Sequence, residues 1–195
     1  MTTNSVTSLL LAGVGGQGVL LASDIIGKVM MRAGLDVKKS EVHGMAQRGG
    51  CVTSHVRYGR KVYSPIAKEG DVDILVAFEK LETLRYLNLL RTGAKIIINE
   101  EEIYPPSVNL GDAAYPVDAA EIVKRRFKDV LILNAPELAR KAGNVRAVST
   151  VMLGALSRYL TGVTPEDWKN VIAEEFAEKL VPANLKAFDL GREAV

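Results

Sequence analysis

Between the apolar run Leu9-Leu10-Leu11-Ala12 and a helical stretch beginning at Val19, six residues read Gly13-Val14-Gly15-Gly16-Gln17-Gly18. They fit the pattern GxGxxG in the position where it carries structural meaning, after a strand and at the start of a helix. Glycines let the backbone turn tightly and approach a ligand, while the free N–H groups and positive dipole end of the helix favour a phosphate or pyrophosphate. The same glycines also serve close strand–helix packing or the receipt of another subunit's backbone, so the turn alone leaves ligand binding and packing open. Gly13, Gly15, Gly16, Gln17 and Gly18 are its candidate binding residues.

A strand feeding a helix implies an α/β chain, and the remaining apolar runs agree. Ile74-Leu75-Val76-Ala77-Phe78, Ile96-Ile97-Ile98 and Val130-Leu131-Ile132-Leu133 do not alternate with polar residues, so they read as strands buried on both faces. Segments of helical spacing separate them, which predicts a largely parallel sheet covered on both sides. In the first helix Val19, Ala22, Ile26, Val29 and Ala33 share a face, Leu21 and Ile25 widen it, and Gly34 is placed to end it.

Val52, Ser54, Val56 and Tyr58 alternate with Thr53, His55 and Arg57, the pattern of a half-exposed strand, expected at an edge and antiparallel. Gly59-Arg60 would then turn the chain into a short strand, Lys61-Val62-Tyr63-Ser64, stopped by Pro65. In the last third Val148, Met152, Ala155 and Tyr159 share a helical face. Thr164-Pro165-Glu166-Asp167 supplies an N-cap hydroxyl, a first-turn proline and an acid three residues on, predicting a helix over residues 165–180 that buries Trp168, Ile172 and Phe176. Pro182 is expected to separate it from a final segment over residues 184–191. The expectation is a three-layer, Rossmann-like α/β fold over residues 1–195 as a single domain. Its sheet is mixed but mostly parallel, with an antiparallel edge hairpin and a helical C-terminal third.

Composition narrows the function. A chain of 195 residues suits one core. Its net charge is +2, and the densest basic run, Lys124-Arg125-Arg126, sits among Glu121 and Asp129 as a solvated helix face would, so no nucleic-acid surface is expected. The single cysteine, Cys51, falls short of the roughly four thiolates of an iron–sulfur cluster and cannot form an internal disulfide, which predicts a reducing, cytoplasmic setting. The start, Met1-Thr2-Thr3-Asn4-Ser5, lacks a signal peptide's basic region, and no apolar run approaches the roughly 18 residues of a membrane span, so no membrane role is expected.

A second candidate is Glu41-Val42-His43-Gly44-Met45-Ala46-Gln47-Arg48-Gly49-Gly50, too polar and glycine-rich for core. In a parallel sheet it follows the second strand and lies at the carboxyl edge beside the glycine turn, where open α/β sheets bind ligands. Arg48 suits an anion or a partner's carboxylate. Glu41 is the candidate ribose-binding acid of a dinucleotide site, but it follows Lys38 and Lys39 in a weak strand. His43, His55 and Cys51 form no catalytic or metal-ligand spacing; no catalytic residue and no metal site is assigned, and Cys51 reads as a small buried residue. Glu79, Asn99 and Asn134 close buried strands, where lining a crevice competes with capping the next helix or turn, the commoner use of these residue types.

At these motifs the chain resembles the gamma-type domain of the 2-oxoacid:ferredoxin oxidoreductases over nearly its whole length. The resemblance rests on Gly15-Gly16-Gln17-Gly18, the loop from Glu41 to Gly50, Ser54-His55-Val56-Arg57, Ser64-Pro65-Ile66, residues 74–79, Leu153-Gly154-Ala155 and Asn184-Leu185-Lys186-Ala187-Phe188. His43-Gly44-Met45-Ala46-Gln47 stands where pyruvate and 2-oxoglutarate relatives carry Gly-Pro-Glu, and is similar to the indolepyruvate branch. One departure is Ser149, where the family often has an asparagine, so this chain has no amide at that position to hydrogen-bond.

The resemblance implies a complex that decarboxylates indolepyruvate or another arylpyruvate with thiamine diphosphate, reduces ferredoxin through iron–sulfur clusters and yields aryl-acetyl-coenzyme A. This chain would be its non-cluster-bearing beta subunit, inactive alone and binding no cofactor tightly. Thiamine diphosphate, magnesium and clusters are expected in a larger alpha subunit, since this chain has one cysteine and no Gly-Asp-Gly followed by an Asn-Asn pair. His43, Gln47, Arg48 and Gly49 would join the glycine turn in facing either that subunit or the pyrophosphate of coenzyme A, the co-substrate. One alternative is a stand-alone dinucleotide-binding module. Another is an adenylating enzyme of the ubiquitin-activating type, whose Asp-x-Asp pair after the second strand, Asn-x-x-Arg-Gln segment and paired Cys-x-x-Cys ligands are not found. A homodimer of the isolated chain is compatible with the subunit reading.

Overall fold

Strand β1 (Thr7–Val14) is buried along nearly its whole length because successive side chains serve two different helical layers. In the computed structural model, which describes residues 6–43 and 50–195, with His43 by its backbone alone, Leu9 and Leu11 face one layer, and Leu10 and Ala12 the other. After β1 come α1 (Val19–Arg32), β2 (Asp36–His43), β3 (Cys51–Gly59), β4 (Val72–Ala77), α2 (Lys80–Arg85), β5 (Leu90–Asn99), α3 (Pro106–Asn109), α4 (Ala119–Arg126) and β6 (Val130–Leu133). The helical last third holds α5 (Ala135–Ala142), α6 (Val148–Ser157), α7 (Pro165–Glu175) and α8 (Val181–Glu193).

The six strands form one sheet in the order β2-β3-β1-β4-β5-β6. β1, β4, β5 and β6 pair in parallel, and β3 runs antiparallel to both neighbours. On one face Leu9, Leu11, Val56, Ile74, Val76 and Ile97 pack under α1, α5, α6, α7 and α8; on the other Leu10, Leu75, Ala77, Ile96 and Ile98 meet Val123 of α4 and the segment around α2. The sheet is therefore mixed, mostly parallel and sandwiched. Among the described residues no helix is long and apolar enough to cross a membrane.

Four local expectations need correction. β3 is an interior strand, hydrogen-bonded on both sides, and β2 forms the edge. The polar face of β3 is covered nonetheless, by the segment that follows it at the Arg57 end and by α2 at the Cys51 end, where Cys51 meets Glu82. Arg57 donates to the carbonyls of Ser64 and Ile66 at 3.2 and 3.1 Å, to Asp71 at 3.1 Å and to Ser8 Oγ at 3.0 Å. With both edges of β3 occupied, Lys61-Val62-Tyr63-Ser64 forms no strand, and the edge hairpin is β2–β3. The helix expected over residues 165–180 ends at Glu175: Phe176 is extended, and a short 3-10 turn, Glu178–Leu180, follows. Pro182 falls in the first two positions of α8, where its missing N–H breaks no helical bond, so it opens that helix rather than standing before it.

The start of α7 is as expected. Asp167 N donates to Thr164 Oγ1 at 3.2 Å and Thr164 N donates to Asp167 Oδ2 at 2.7 Å, a reciprocal cap. Helices α6 and α8 meet backbone to backbone: a Cβ on Gly154 would lie 2.1 Å from the Phe188 carbonyl oxygen, and one on Gly191 would lie 2.0 Å from that of Val151. This contact fixes α6, whose first turn reaches the glycine turn through Ser149.

Candidate functional site

Parallel pairing sends the carboxyl ends of β1, β4, β5 and β6 to one edge, and the glycine turn lies there. Its glycines have different reasons to be glycine. Gly13 has no room for a side chain, since a Cβ would meet Phe78 Cβ and Val19 Cγ2 at 2.8 Å and Gln17 Oε1 at 2.9 Å. Gly18 caps α1 in the left-handed conformation (φ 80°) and lies against Ser149, 3.0 Å from where its Cβ would stand. Gly16 is also left-handed (φ +101°), but the space beyond it is open. No side chain caps α1 and its first turn holds no acid, so the helix's own residues leave its positive end uncompensated.

Gln17 folds back into the protein. Its Oε1 accepts from Val14 N at 2.7 Å, and its Nε2 donates to the Phe78 carbonyl at 2.8 Å and to Glu101 Oε2 at 3.0 Å. Asn99, fully buried at the end of β5, donates to the same Phe78 carbonyl and the same Glu101 oxygen, each at 3.0 Å, and accepts from Ala135 N at 3.1 Å. Two side-chain amides thus tie the turn to the ends of β4 and β5 and the start of α5.

A second cluster adjoins the first. Cys51 Sγ donates to Glu82 Oε2 at 2.9 Å and lies 2.8 Å from the Tyr86 hydroxyl, while Arg85 Nε holds the other Glu82 oxygen at 2.9 Å. Glu79 caps α2 by accepting from Glu82 N, and also accepts from Ile103 N at 3.2 Å and the Tyr115 hydroxyl at 2.5 Å. Burial first and the Glu82 carboxylate second push the Cys51 thiol up to about 11. Burial followed by their hydrogen-bond partners, Cys51 and Glu79, likewise raises Tyr86 and Tyr115. A thiol so held is protonated at neutral pH and is a poor nucleophile. Alkylation of the native chain by iodoacetamide is therefore expected to be slow at pH 7.5 and to keep accelerating through pH 9.5. A rate that levels off below pH 9 would show an activated thiol instead.

Of the sequence-predicted residues, Gly13, Gly15, Gly16, Gln17 and Gly18 stand together at this edge. His43 ends β2 in register with Val52 and, one strand further, with Gly13, so its backbone lies in the same row across the sheet. Gln47, Arg48 and Gly49 lie outside the described residues. The loop's far end is placed by Gly15 N, which donates to the Gly50 carbonyl at 2.9 Å. Glu41 pairs with Lys39 at 2.5 Å. His55 sits mid-sheet opposite Leu10 and Ser40, and burial, then Arg57, lower its pKa. Asn134 caps α5 through Glu137 N at 3.0 Å, as Glu79 caps α2. The sequence reading missed Glu101, Glu82 and Tyr86, whose partners lie up to 84 positions away along the chain.

The residues present do not suit an iron–sulfur cluster or a metal-held thiamine diphosphate. The chain has one cysteine, and among the described residues no group of three or more His, Cys, Asp and Glu side chains could hold a metal ion.

A family model described as pyruvate ferredoxin/flavodoxin oxidoreductase matches residues 8–194. Indolepyruvate oxidoreductase subunit IorB of Archaeoglobus fulgidus is 43% identical over 190 residues, covering 94% of this chain and 92% of that protein. The subunit of the same name from Pyrococcus horikoshii is 40% identical over 192 residues, covering 96% of this chain and 95% of that protein. In fold the chain is similar to the keto/oxoacid ferredoxin oxidoreductase gamma subunit from Geobacter sulfurreducens, with a TM-score of 0.72, 23% identity, and 96% and 97% of the two chains covered.

Proposed function

The chain belongs to the pyruvate ferredoxin/flavodoxin oxidoreductase family, and on that premise we propose that it is the non-cluster-bearing subunit of an indolepyruvate:ferredoxin oxidoreductase that yields aryl-acetyl-coenzyme A. The observation that carries this reading is the near-full-length identity of 43% and 40% to two indolepyruvate oxidoreductase subunits. Thiamine diphosphate, magnesium and iron–sulfur clusters supply decarboxylation and electron transfer from a larger alpha subunit in the cytoplasm. Ferredoxin is the electron acceptor.

This chain's own part is to present a shaped anion-binding site and an interface at the carboxyl edge. The open backbone at Gly16 and the positive end of α1 suit a pyrophosphate, here that of coenzyme A, or a carboxylate of the alpha subunit. Arg48, His43, Gln47 and Gly49 are the further residues we assign to that anion, on the family resemblance of the segment that carries them. Gln17 holds the turn in shape from inside rather than reaching for the ligand, because its amide already has three partners. A dinucleotide module is disfavoured, since the one acid available to a ribose, Glu41, is paired with Lys39.

Tagged chain drawn anaerobically from its native extract is expected to bring down a large thiamine diphosphate and iron–sulfur protein, with indolepyruvate-dependent reduction of ferredoxin or a dye. Recovery of the chain alone and inactive, with tight binding of a nicotinamide or flavin cofactor, would establish the module instead. In the assembled complex, Arg48→Ala that keeps assembly but loses turnover assigns the loop to coenzyme A. Loss of assembly assigns it to the alpha subunit, and wild-type behaviour in both rejects the site.

A further inference from the structure

At the opposite, amino-terminal edge of the sheet, an open groove of about 570 Å³ runs between the start of β5 and the passage from α4 into β6. Leu87, Leu90 and Phe127 give it an apolar floor, and Arg91, Arg126 and Lys128 supply positive charge. Arg91 is engaged with Asp73 at 2.7 Å, and the one acid lining the groove, Asp129, is held by Lys95 at 2.5 Å. Arg126 and Lys128 are exposed and have no ion-pair partner among the described residues. The dipole of α4 accounts for basic side chains in its last turn, but not for Lys128 beyond its end or for the apolar floor between the charges.

Apolar floor and uncompensated arginine and lysine together are the composition of a protein-docking surface, in which an apolar centre carries affinity and the charged rim selects the partner. We propose that this groove docks an acidic protein segment whose apolar side chains enter between Leu87, Leu90 and Phe127 while its carboxylates meet Arg126 and Lys128. The groove lies across the sheet from the glycine turn, so this interaction stands or falls independently of the proposed activity.

The test uses the full-length chain and fluorescein-labelled octapeptides followed by anisotropy. The alternating Glu–Leu peptide is expected to bind, the Lys–Leu peptide not to bind, and a Glu–Ser peptide of equal charge to bind at least fivefold more weakly. Binding should weaken as salt rises from 50 to 300 mM. The double variant Arg126→Glu/Lys128→Glu, at exposed positions, is expected to keep its circular dichroism spectrum and weaken Glu–Leu binding at least tenfold. Arg126→Ala/Lys128→Ala should fall between it and the wild type. Unchanged affinity in the folded charge-reversal variant overturns the proposal. So does equal binding of the Glu–Ser peptide or of labelled oligouridylate, either of which would mark a general polyanion surface.

Discussion

Gly154→Ala lowers the stability of the folded chain by about 3 kcal/mol, the upper end of ordinary overpacking, which for a domain of this size is a fall in melting temperature of roughly 6–12 °C. The added methyl would stand 2.1 Å from the Phe188 carbonyl oxygen and 3.0 Å from Arg192 N, both backbone atoms of α8. No rotamer change relieves such a contact; the two helices must separate. Separation is expensive because α6 is buried on every side, and α8 carries Phe188, stacked on Trp168 with ring centroids 6.0 Å apart. Gly27→Ala supplies the contrast. Within α1 its nearest neighbour would be Val37 Cγ1 at 3.9 Å, ordinary contact, so the gain in helix propensity stabilises by about 1 kcal/mol. Thermal melts of both variants decide the matter. A Gly154→Ala protein melting within 2 °C of the wild type would mean that the α6–α8 contact yields easily.

Gln17→Leu is expected to cost about 2 kcal/mol and, in the assembled enzyme, to reduce turnover at least tenfold. The change keeps approximate volume but leaves Val14 N, nearly buried, without its 2.7 Å acceptor and removes a donor to Glu101. Asn99 still serves the Phe78 carbonyl, which limits the loss. Gln17→Glu separates the acceptor role from the donor role. A carboxylate there still accepts from Val14 N but faces Glu101 Oε2 across what was a 3.0 Å hydrogen bond. Repulsion between two carboxylates raises the pKa of the introduced acid above its unfolded value, so its protonated, donating form is favoured at low pH. The deficit should therefore be small near pH 4.5 and grow as pH rises towards 8. An equal deficit at both pH values would show that the donor half of the amide is not what holds the turn.

Much of the architecture was legible because it depends on local pattern. Unbroken apolar runs located β1, β4, β5 and β6, and Thr164 with Asp167 located the start of α7. What was not legible depends on which neighbour covers a face. Thr53, His55 and Arg57 look like solvent-facing residues, yet none is exposed: Arg57 is hydrogen-bonded to two carbonyls of the segment beyond β3, and Cys51, on the same face, meets Glu82 and Tyr86. At the site, the glycines announced a turn, but the pattern assigns Gln17 to a ligand-facing position that the fold gives to an internal brace. Its partners Phe78 and Glu101 are brought near only by parallel pairing, and no local spacing encodes that. Glu79 and Asn134 did what their residue types favour, capping the helices that follow.

The reversed direction of β3 gives the carboxyl edge a property that an all-parallel sheet lacks. Because β2 rises to His43 and β3 descends from Cys51, both stems of the intervening loop are anchored by ladder pairing at the same edge, with Gly50 further tied to Gly15. Sequence change between those stems need not disturb the strands that hold them. The segment between the stems is thus an exchangeable cassette on a ladder-paired frame, and transplanting the corresponding segment from a relative with a different 2-oxoacid is expected to leave the melting temperature nearly unchanged and, on the role proposed for Arg48, to alter recognition at this edge.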